Sequence, residues 1–263
     1  MDLRIKGRVG VVTAASRGLG RAVAESLASE GVNLVICSRN ERTIKITAEE
    51  IRKKYNINVV PVACDVTKKS DIEILRSKVD EKFGKCHILF VNSGGPPPGS
   101  VGDFKDEDFR KAIELNLIST INIVNAFLPF MKEQKWGRIL ASTSISVKQP
   151  LGTLALSNVS RAGVVSFVKT LSDDVGKYNI TANTIAPGYI MTERVVQLLK
   201  VRSENDGRSY NDIKKELENS IPVKKIGSPE EFGAFSAFLL SEISSYITGV
   251  TVLIDGGMYR GTM

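Results

Sequence analysis

The stretch Thr13-Ala14-Ala15-Ser16-Arg17-Gly18-Leu19-Gly20 follows a short apolar run, Val9-Gly10-Val11-Val12. Glycines in such a turn let the main chain approach a diphosphate, and the first turn of a following helix offers unpaired N–H groups to its charge. Leu19, Val23 and Leu27 recur at helical spacing after the turn, and Gly31 stops the helix. A glycine pair alone says little, but a strand before it and a helix after it define a nucleotide-binding turn rather than an empty bend. About 20 residues beyond such a turn an NAD site places Asp or Glu, to accept from the ribose hydroxyls. The second strand, Val32 to Cys37, instead runs into Ser38-Arg39-Asn40. A guanidinium at Arg39 suits a 2′-phosphate through charge-assisted bonds and stacks on adenine, with Arg17 and Ser38 placed to help. The pattern selects NADP(H), with NAD(H) second. The bland alternative is a surface arginine.

These residues need a scaffold, and the apolar pattern supplies one. Further strands are predicted at Val59 to Ala63, Ile88 to Val91, Arg138 to Ala141, Ile180 to Ile185 and Val250 to Ile254. Helical spacing fills the gaps: Ile44 to Tyr55, Ile72 to Phe83 (closed by Gly84), one helix near 107–134, one near 157–174, and one opened by Ser228-Pro229-Glu230-Glu231. In the last, serine caps, proline fits the first helical position and Glu231 closes a capping box. Alternating strands and helices imply a Rossmann-type doubly wound parallel sheet in three α/β/α layers, with ligands bound beyond the carboxyl ends of the strands. Residues 1–263 read as one dinucleotide-binding domain, with an insertion at about 193–220 that carries helical spacing at Val196, Leu199 and Val201.

Composition narrows the functional classes. The chain has 263 residues, 42% of them apolar, enough for a large core. No uninterrupted apolar run approaches the roughly 18 residues of a membrane span, and the start carries no signal-peptide stretch. Cys37, Cys64 and Cys86 show no CxxC spacing, which argues against a disulfide framework or a metal site. A reduced, cytoplasmic protein is expected. The net charge of +7 lacks interleaved basic and aromatic residues, so neither nucleic acid nor membrane is expected as a partner.

With these elements in order, the chain resembles the short-chain dehydrogenase/reductase family, its 3-oxoacyl-carrier-protein reductase branch in particular, over roughly residues 5–257. The matching pieces are the glycine turn, Cys64-Asp65-Val66, Asn92-Ser93-Gly94-Gly95, Glu114-Leu115-Asn116-Leu117, Pro187-Gly188-Tyr189-Ile190-Met191-Thr192 and Asp255-Gly256-Gly257. The resemblance implies a cofactor cleft formed by Thr13, Ser16, Arg17, Gly18, Leu19, Gly20, Ser38, Arg39, Asp65, Val66, Asn92, Gly94, Pro187, Gly188, Ile190 and Thr192. In it Asp65 meets adenine and Thr192 the nicotinamide amide. It also implies that the insertion at about 193–220 is a lid over the substrate, that the substrate is a carbonyl or alcohol, and that a homotetramer is built through the helices near 107–134 and 157–174. The family's catalytic serine falls on Ser144 and its asparagine, which holds a water, on Asn116. Its tyrosine-x-x-x-lysine falls on Ser157-Asn158-Val159-Ser160-Arg161, so tyrosine has become Ser157 and lysine Arg161. The first glycine of the turn has become Ala14, a change expected to need only a modest backbone adjustment.

A phenol near pKa 10 can be drawn toward neutrality by a cation, whereas a serine hydroxyl is a far weaker acid. Arginine stays protonated and cannot relay protons as lysine does. Ser144 and Arg161 can still stabilise an oxyanion. Tyr189 and Lys148 are the alternative proton donors, each set against simple loop packing or exposure. His87 opens its strand at the wrong end of the sheet and reads as structural. Gly95-Pro96-Pro97-Pro98-Gly99 is a stiff extended turn. Lys200, Arg202 and Arg208 read as a solvated face of the lid. Two functions follow: an NADP(H)-dependent oxidoreductase, or a dinucleotide-binding sensor or scaffold without catalysis.

Overall fold

The structure, a computed structural model, describes residues 2–262. The apolar runs form β1 (Val9–Val12), β2 (Asn33–Ser38), β3 (Val59–Ala63), β4 (Ile88–Val91), β5 (Gly137–Ser142), β6 (Ile180–Pro187) and β7 (Thr251–Ile254). Every pairing is parallel and the order is β3-β2-β1-β4-β5-β6-β7. This is the doubly wound sheet the alternation predicts. Its order reverses between β1 and β4, which opens a crevice at the carboxyl ends of those two strands.

The helices are α1 (Gly18–Ser29), α2 (Glu41–Tyr55), α3 (Lys69–Phe83), α4 (Asp106–Ile113), α5 (Ser119–Gln134), α6 (Ala155–Val175), α7 (Glu193–Asp206), α8 (Tyr210–Ser220) and α9 (Pro229–Leu239). Neighbouring residues on a strand point to opposite faces, and the core divides accordingly. Val12, Leu34, Ile36 and Phe90 pack with Leu27 of α1, Ile44 of α2 and Phe232 of α9. Val11, Val35, Leu89 and Ile139 pack with Leu75 of α3, Phe127 of α5 and Val164 of α6. A third, smaller cluster joins Leu199 of α7 to Ile213 and Leu217 of α8, with Tyr189 and Met191 against it.

Several boundaries follow local chemistry. Gly84 ends α3 in the left-handed region at φ 63°, and Ser228 with Glu231 forms the expected capping box of α9. The single helix expected near 107–134 is instead α4 and α5 joined by a π-helical turn, Glu114–Ile118. Taken end to end, Asp106–Gln134 is long and apolar enough to cross a membrane by length and composition. Its Ile123, Val124, Phe127 and Met131 are sealed in the second core cluster. All three cysteines are buried and unpaired.

His87 is 6% exposed, accepts the Val9 N–H at Nδ1 (3.1 Å), and sits edge-on to Trp136. An imidazole accepting at Nδ1 is neutral, with its proton on Nε2. Burial, then the charges of Arg8 and Lys85, push its pKa down to about 4. An unfolded histidine titrates near 6.5, so as pH falls the unfolded chain takes up this proton first. The stability held in neutral His87 is complete above pH ~6.5 and is lost as pH falls toward ~4. The amount at stake is on the order of 2–3 kcal/mol. Urea unfolding of the wild type should show that loss between pH 7 and 4, and His87→Gln should lack it. Parallel curves would show that His87 carries none of the acid sensitivity.

Candidate active site

The crevice is tied together at its base. Thr13, fully buried, donates from Oγ1 to Asn92 O (2.7 Å) and accepts from Asn92 N–H (2.8 Å), joining the loops after β1 and β4. The Ala15 N–H donates to Cys37 O (2.9 Å), which pins the glycine turn to β2. A Cβ on Gly20 would lie 2.4 Å from Ala14 O, so only glycine lets α1 begin this close to the turn. No side chain caps α1, and its first turn carries no acidic residue. The leading N–H groups, at Gly18, Leu19 and Gly20, are therefore free of side-chain caps and face the crevice mouth with the positive end of the helix dipole. Ala14 takes a left-handed backbone at φ 50°, a conformation that glycine adopts without strain. The fold holds the turn tightly enough to impose a left-handed alanine.

At the end of β2, Ser38 is buried and donates to Asn40 O (3.2 Å), while Arg39 is exposed. Asp65, beyond β3, accepts from the Thr67 N–H (3.1 Å) and hydroxyl (2.8 Å). Burial alone would raise its carboxyl, but these bonds and the charges of Arg39 and Lys68 bring it below the ordinary value. Arg39 and Asp65 thus share one rim of the crevice. Val66 is buried in the core behind them.

Asn116 lies in the π-helical turn, 2% exposed. Its Nδ2 donates to Ser93 Oγ (2.7 Å) and to Gly94 O (3.2 Å). Gly94 O can only accept, which fixes the amide orientation and turns Oδ1 toward Ser160 Oγ, 3.0 Å away on α6. Both amide protons are thus used within the protein, and only lone pairs of Oδ1 remain for a water. A π turn shifts the backbone donors one residue along. Hydroxyls serve the carbonyls here: Ser119 Oγ donates to Leu115 O (2.5 Å) and Thr120 Oγ1 to Asn116 O (2.6 Å). Apolar periodicity did not reveal this turn. The signal was Ser119-Thr120, two hydroxyl residues inside an apolar helix.

Ser144 caps the short turn after β5, where its Oγ accepts from the Ser146 N–H (3.2 Å). Ser157 and Arg161 lie one turn apart on α6, 6% and 7% exposed. Arg161 Nη1 donates to Ser142 O (2.9 Å), its only partner among the described residues. Burial, reinforced by the charge of Arg194, pushes the Arg161 pKa down to about 10, so it remains a cation at neutral pH. The structure therefore gathers Asn116, Ser144, Ser157 and Arg161 around the carboxyl ends of β4 and β5.

The segment that follows β6 forms the other side. Gly188 fits against the Asp255 backbone, where a Cβ would lie 2.9 Å from Asp255 Cα, and Ile190 is buried. Thr192 precedes α7, and its side chain lies over Gly18. Glu193 pairs with Arg17 across the mouth (2.7 Å). Arg194, which the sequence reading passed over, donates from Nη2 to Pro96 O (3.3 Å) and lies over Gly95, where a Cβ would meet its Nη1. Its signal was position, two residues past Thr192 and opposite a glycine pair. Tyr189 packs on the lid cluster and Lys148 is exposed. Arg202 and Arg208 share Glu216 on α8. Among the described residues no group of His, Cys, Asp or Glu is placed to hold a metal ion.

A doubly wound sheet with an uncapped, glycine-lined helix start at its switch point defines a Rossmann-type nucleotide-binding protein. The family model described as Enoyl-(Acyl carrier protein) reductase matches residues 13–259. 3-Oxoacyl-[acyl-carrier-protein] reductase FabG of Aquifex aeolicus (strain VF5) is 31% identical, covering 98% of this chain and 100% of that protein. NADPH-dependent reductase BacG of Bacillus subtilis (strain 168) is 30% identical, covering 96% and 98%. The structure of L-sorbose reductase from Gluconobacter frateurii, complexed with NADPH and L-sorbose, superposes with a TM-score of 0.96 at 31% identity, covering 99% and 100%. The chain belongs to the short-chain dehydrogenase/reductase family, in its FabG-like branch.

The π turn is testable. Thr120→Val keeps the shape but leaves Asn116 O without its hydroxyl donor, which should cost about 1–2 kcal/mol. Thr170 makes the same bond to a carbonyl four residues back, to Ser166 O, on an exposed helix face. Thr170→Val should stay within about 0.5 kcal/mol. Calorimetric melting of both variants checks this, and equal losses would remove the special role of Thr120.

Proposed function

We propose that this chain is an NADP(H)-dependent oxidoreductase acting on the carbonyl or alcohol group of a small molecule, with Ser157 and Arg161 standing where its family has tyrosine and lysine. The observation that carries the proposal is one connected framework. Ser93 and Gly94 bond Asn116, Asn116 meets Ser160 beside Arg161, and Arg161 bonds Ser142 two residues before Ser144.

The residues present fit the dinucleotide. The uncapped start of α1 at Gly18, Leu19 and Gly20 suits a pyrophosphate, with Thr13 and Ser16 shaping the turn. Arg39 suits a 2′-phosphate and Asp65 an adenine amine, while Ser38 supports the rim and Arg17 flanks it. Gly94, where a Cβ would meet nothing, leaves an open surface beside Asn92 for a flat ring. Pro187, Gly188, Ile190 and Thr192 form the opposite wall, with Val66 behind. When bound, the reduced dinucleotide supplies the hydride.

The chain's own residues hold the carbonyl and its growing charge. The Ser144 Oγ lone pair is taken by the Ser146 N–H, which leaves its proton for the substrate oxygen. Arg161 offers a fixed cation from a largely desolvated position, where it stabilises an oxyanion strongly. At a pKa of about 10 it donates a hydrogen bond but not its proton at neutral pH. The final proton comes from solvent by way of the Ser144 and Ser157 hydroxyls. Losing a positioned phenol forfeits about 10²–10⁴-fold in rate, so the wild type is a slow enzyme on ordinary ketones.

Residues 1–263 are read as one domain whose lid is 193–220, in a cytoplasmic homotetramer with no nucleic-acid or membrane partner. Exposed Val159 on α6 supports the oligomer reading.

Two experiments test the function. In fluorescence titrations NADPH should bind more tightly than NADH, the gap shrinking in high salt, and Arg39→Asp should reverse the order. Equal affinities would remove Arg39 from the site. In absorbance assays of NADPH oxidation over a carbonyl panel, Ser157→Tyr with Arg161→Lys should raise the rate at least about tenfold over wild type. Single changes should do less, because the two groups act as a unit. Overpacking at 157 costs about 1–3 kcal/mol, so melting and NADPH binding are measured first. A folded, NADPH-binding double variant with no gain on any carbonyl would favour the non-catalytic sensor or scaffold.

A further inference from the structure

Arg161 is a buried cation without an anion. Its Nη1 is spent on Ser142 O, and no carboxylate among the described residues pairs with it. Nε and Nη2 have no partner among the described residues, yet neither is among the sealed, unsatisfied atoms. That edge of the guanidinium therefore opens to the cleft. It is the side-on fork, two parallel N–H groups whose spacing matches the oxygens of a carboxylate.

A second cation stands at the rim. Arg194 reaches from the first turn of α7 to Pro96 O and lies over Gly95, next to the Gly94 that Asn116 holds. Among the described residues it too has no carboxylate partner, and its neighbour Glu193 is engaged by Arg17. The charge of Arg194 acts on Arg161. Two like charges facing one partly dry cleft repel each other, and a neutral ribose or ketone cannot offset that repulsion. An anionic guest can.

Resting on the reductase reading above, we propose that the substrate is a short 2-oxo acid. Its carboxylate is held by the Nε–Nη2 fork of Arg161 and closed over by Arg194, with the adjacent carbonyl against Ser144. The choice of a 2-oxo acid over a more distant carboxylate follows from the missing phenol. A carboxylate neutralised by a guanidinium withdraws electrons from the carbon beside it. The carbonyl is then electrophilic enough to rely less on a general acid.

The test separates this proposal from the reading beneath it. Oxamate, an unreactive isostere of a 2-oxo acid, is titrated calorimetrically into the NADP⁺-loaded protein beside its neutral counterpart oxamide. Oxamate should bind and oxamide should not. Arg194→Gln, at the exposed rim, should weaken oxamate about 10–100-fold while the protein stays folded. Arg161→Gln should weaken it at least as much, but Arg194→Gln decides the matter if the buried variant fails to fold. In the NADPH assay the preference of kcat/KM for pyruvate or 2-oxobutyrate over butanone should fall by a similar factor in Arg194→Gln. Oxamate binding that depends on Arg194 supports the anion site even if no carbonyl is reduced, in which case the reductase reading alone fails. No oxamate binding, equal binding of oxamide, or reduction of butanone as efficient as that of the oxo acids overturns the proposal and leaves the reductase reading intact. A loss of NADP⁺ affinity in Arg194→Gln as large as the loss for oxamate assigns the pair to the cofactor and also overturns it.

Discussion

The carboxamide of Asn116 sits where three independent segments must meet. Its two protons reach the loop after β4, its oxygen faces α6, and its own backbone belongs to a helix crossing between them. An ordinary helical turn there would set the backbone in a different register, so the π turn is the condition for that meeting. The turn in turn depends on hydroxyls at Ser119 and Thr120 to serve carbonyls that the wider winding displaces. Once Asn116 is fixed, Gly94 is fixed, and with it the open surface beside Asn92. Ser160 then sets the register of α6, which carries Ser157 and Arg161 to the ends of β4 and β5. One buried polar group therefore ties the loop after β4 to α6 across the crevice, and burial makes each of its bonds costly to lose.

The glycine turn is held by a comparable over-determination. Ala15 bonds back to β2, Thr47 bonds Ser16 O (3.1 Å), and Gly20 leaves no room for a side chain against Ala14. Alanine at position 14 therefore adopts a left-handed backbone rather than reshaping the turn. The strain is local and the surrounding contacts offset it. Across the mouth, the Arg17–Glu193 pair and the reach of Arg194 to Pro96 connect the start of α7 to both sides of the crevice. Exposed pairs of this kind contribute little to stability.

What could be read from the residues alone depended on whether the physics was local. Strand positions and order class followed from short apolar runs bounded by turn residues, and the ends moved by at most two residues, as at Pro187 of β6. The capping box at Ser228 and the left-handed Gly84 were equally local. The π turn was not, because the apolar period of 107–134 continues through it, and only tertiary bonds to Ser93, Gly94 and Ser160 show why it is there. Arg194 escaped for a similar reason. Its neighbours on the lid, Arg202 and Arg208, do make a solvated charged face on Glu216, so the lid's charges read as one class. Its partner atoms are a carbonyl and a glycine almost a hundred residues away, which no spacing rule connects. The resemblance placed Ser144, Ser157 and Arg161 at their positions, but the direction of the guanidinium came from the structure.

That direction gives the proposed replacement of lysine by arginine a physical meaning. A lysine at position 161 would present one mobile, strongly hydrated ammonium and could give up its proton. Arginine presents a rigid plane, one edge of which is anchored to Ser142 and the other open. Such a group trades proton relay for oriented, permanent charge. On the same proposal Ser157 gives up the acidity of a phenol. Fixed positive charge and weak acidity together suit the activated, anionic carbonyl proposed as substrate. On the proposed reading, the departures at 157 and 161 form a single change of substrate chemistry, in which the cost of burying a cation in a bonded, open-edged geometry is offset by the anion it would hold.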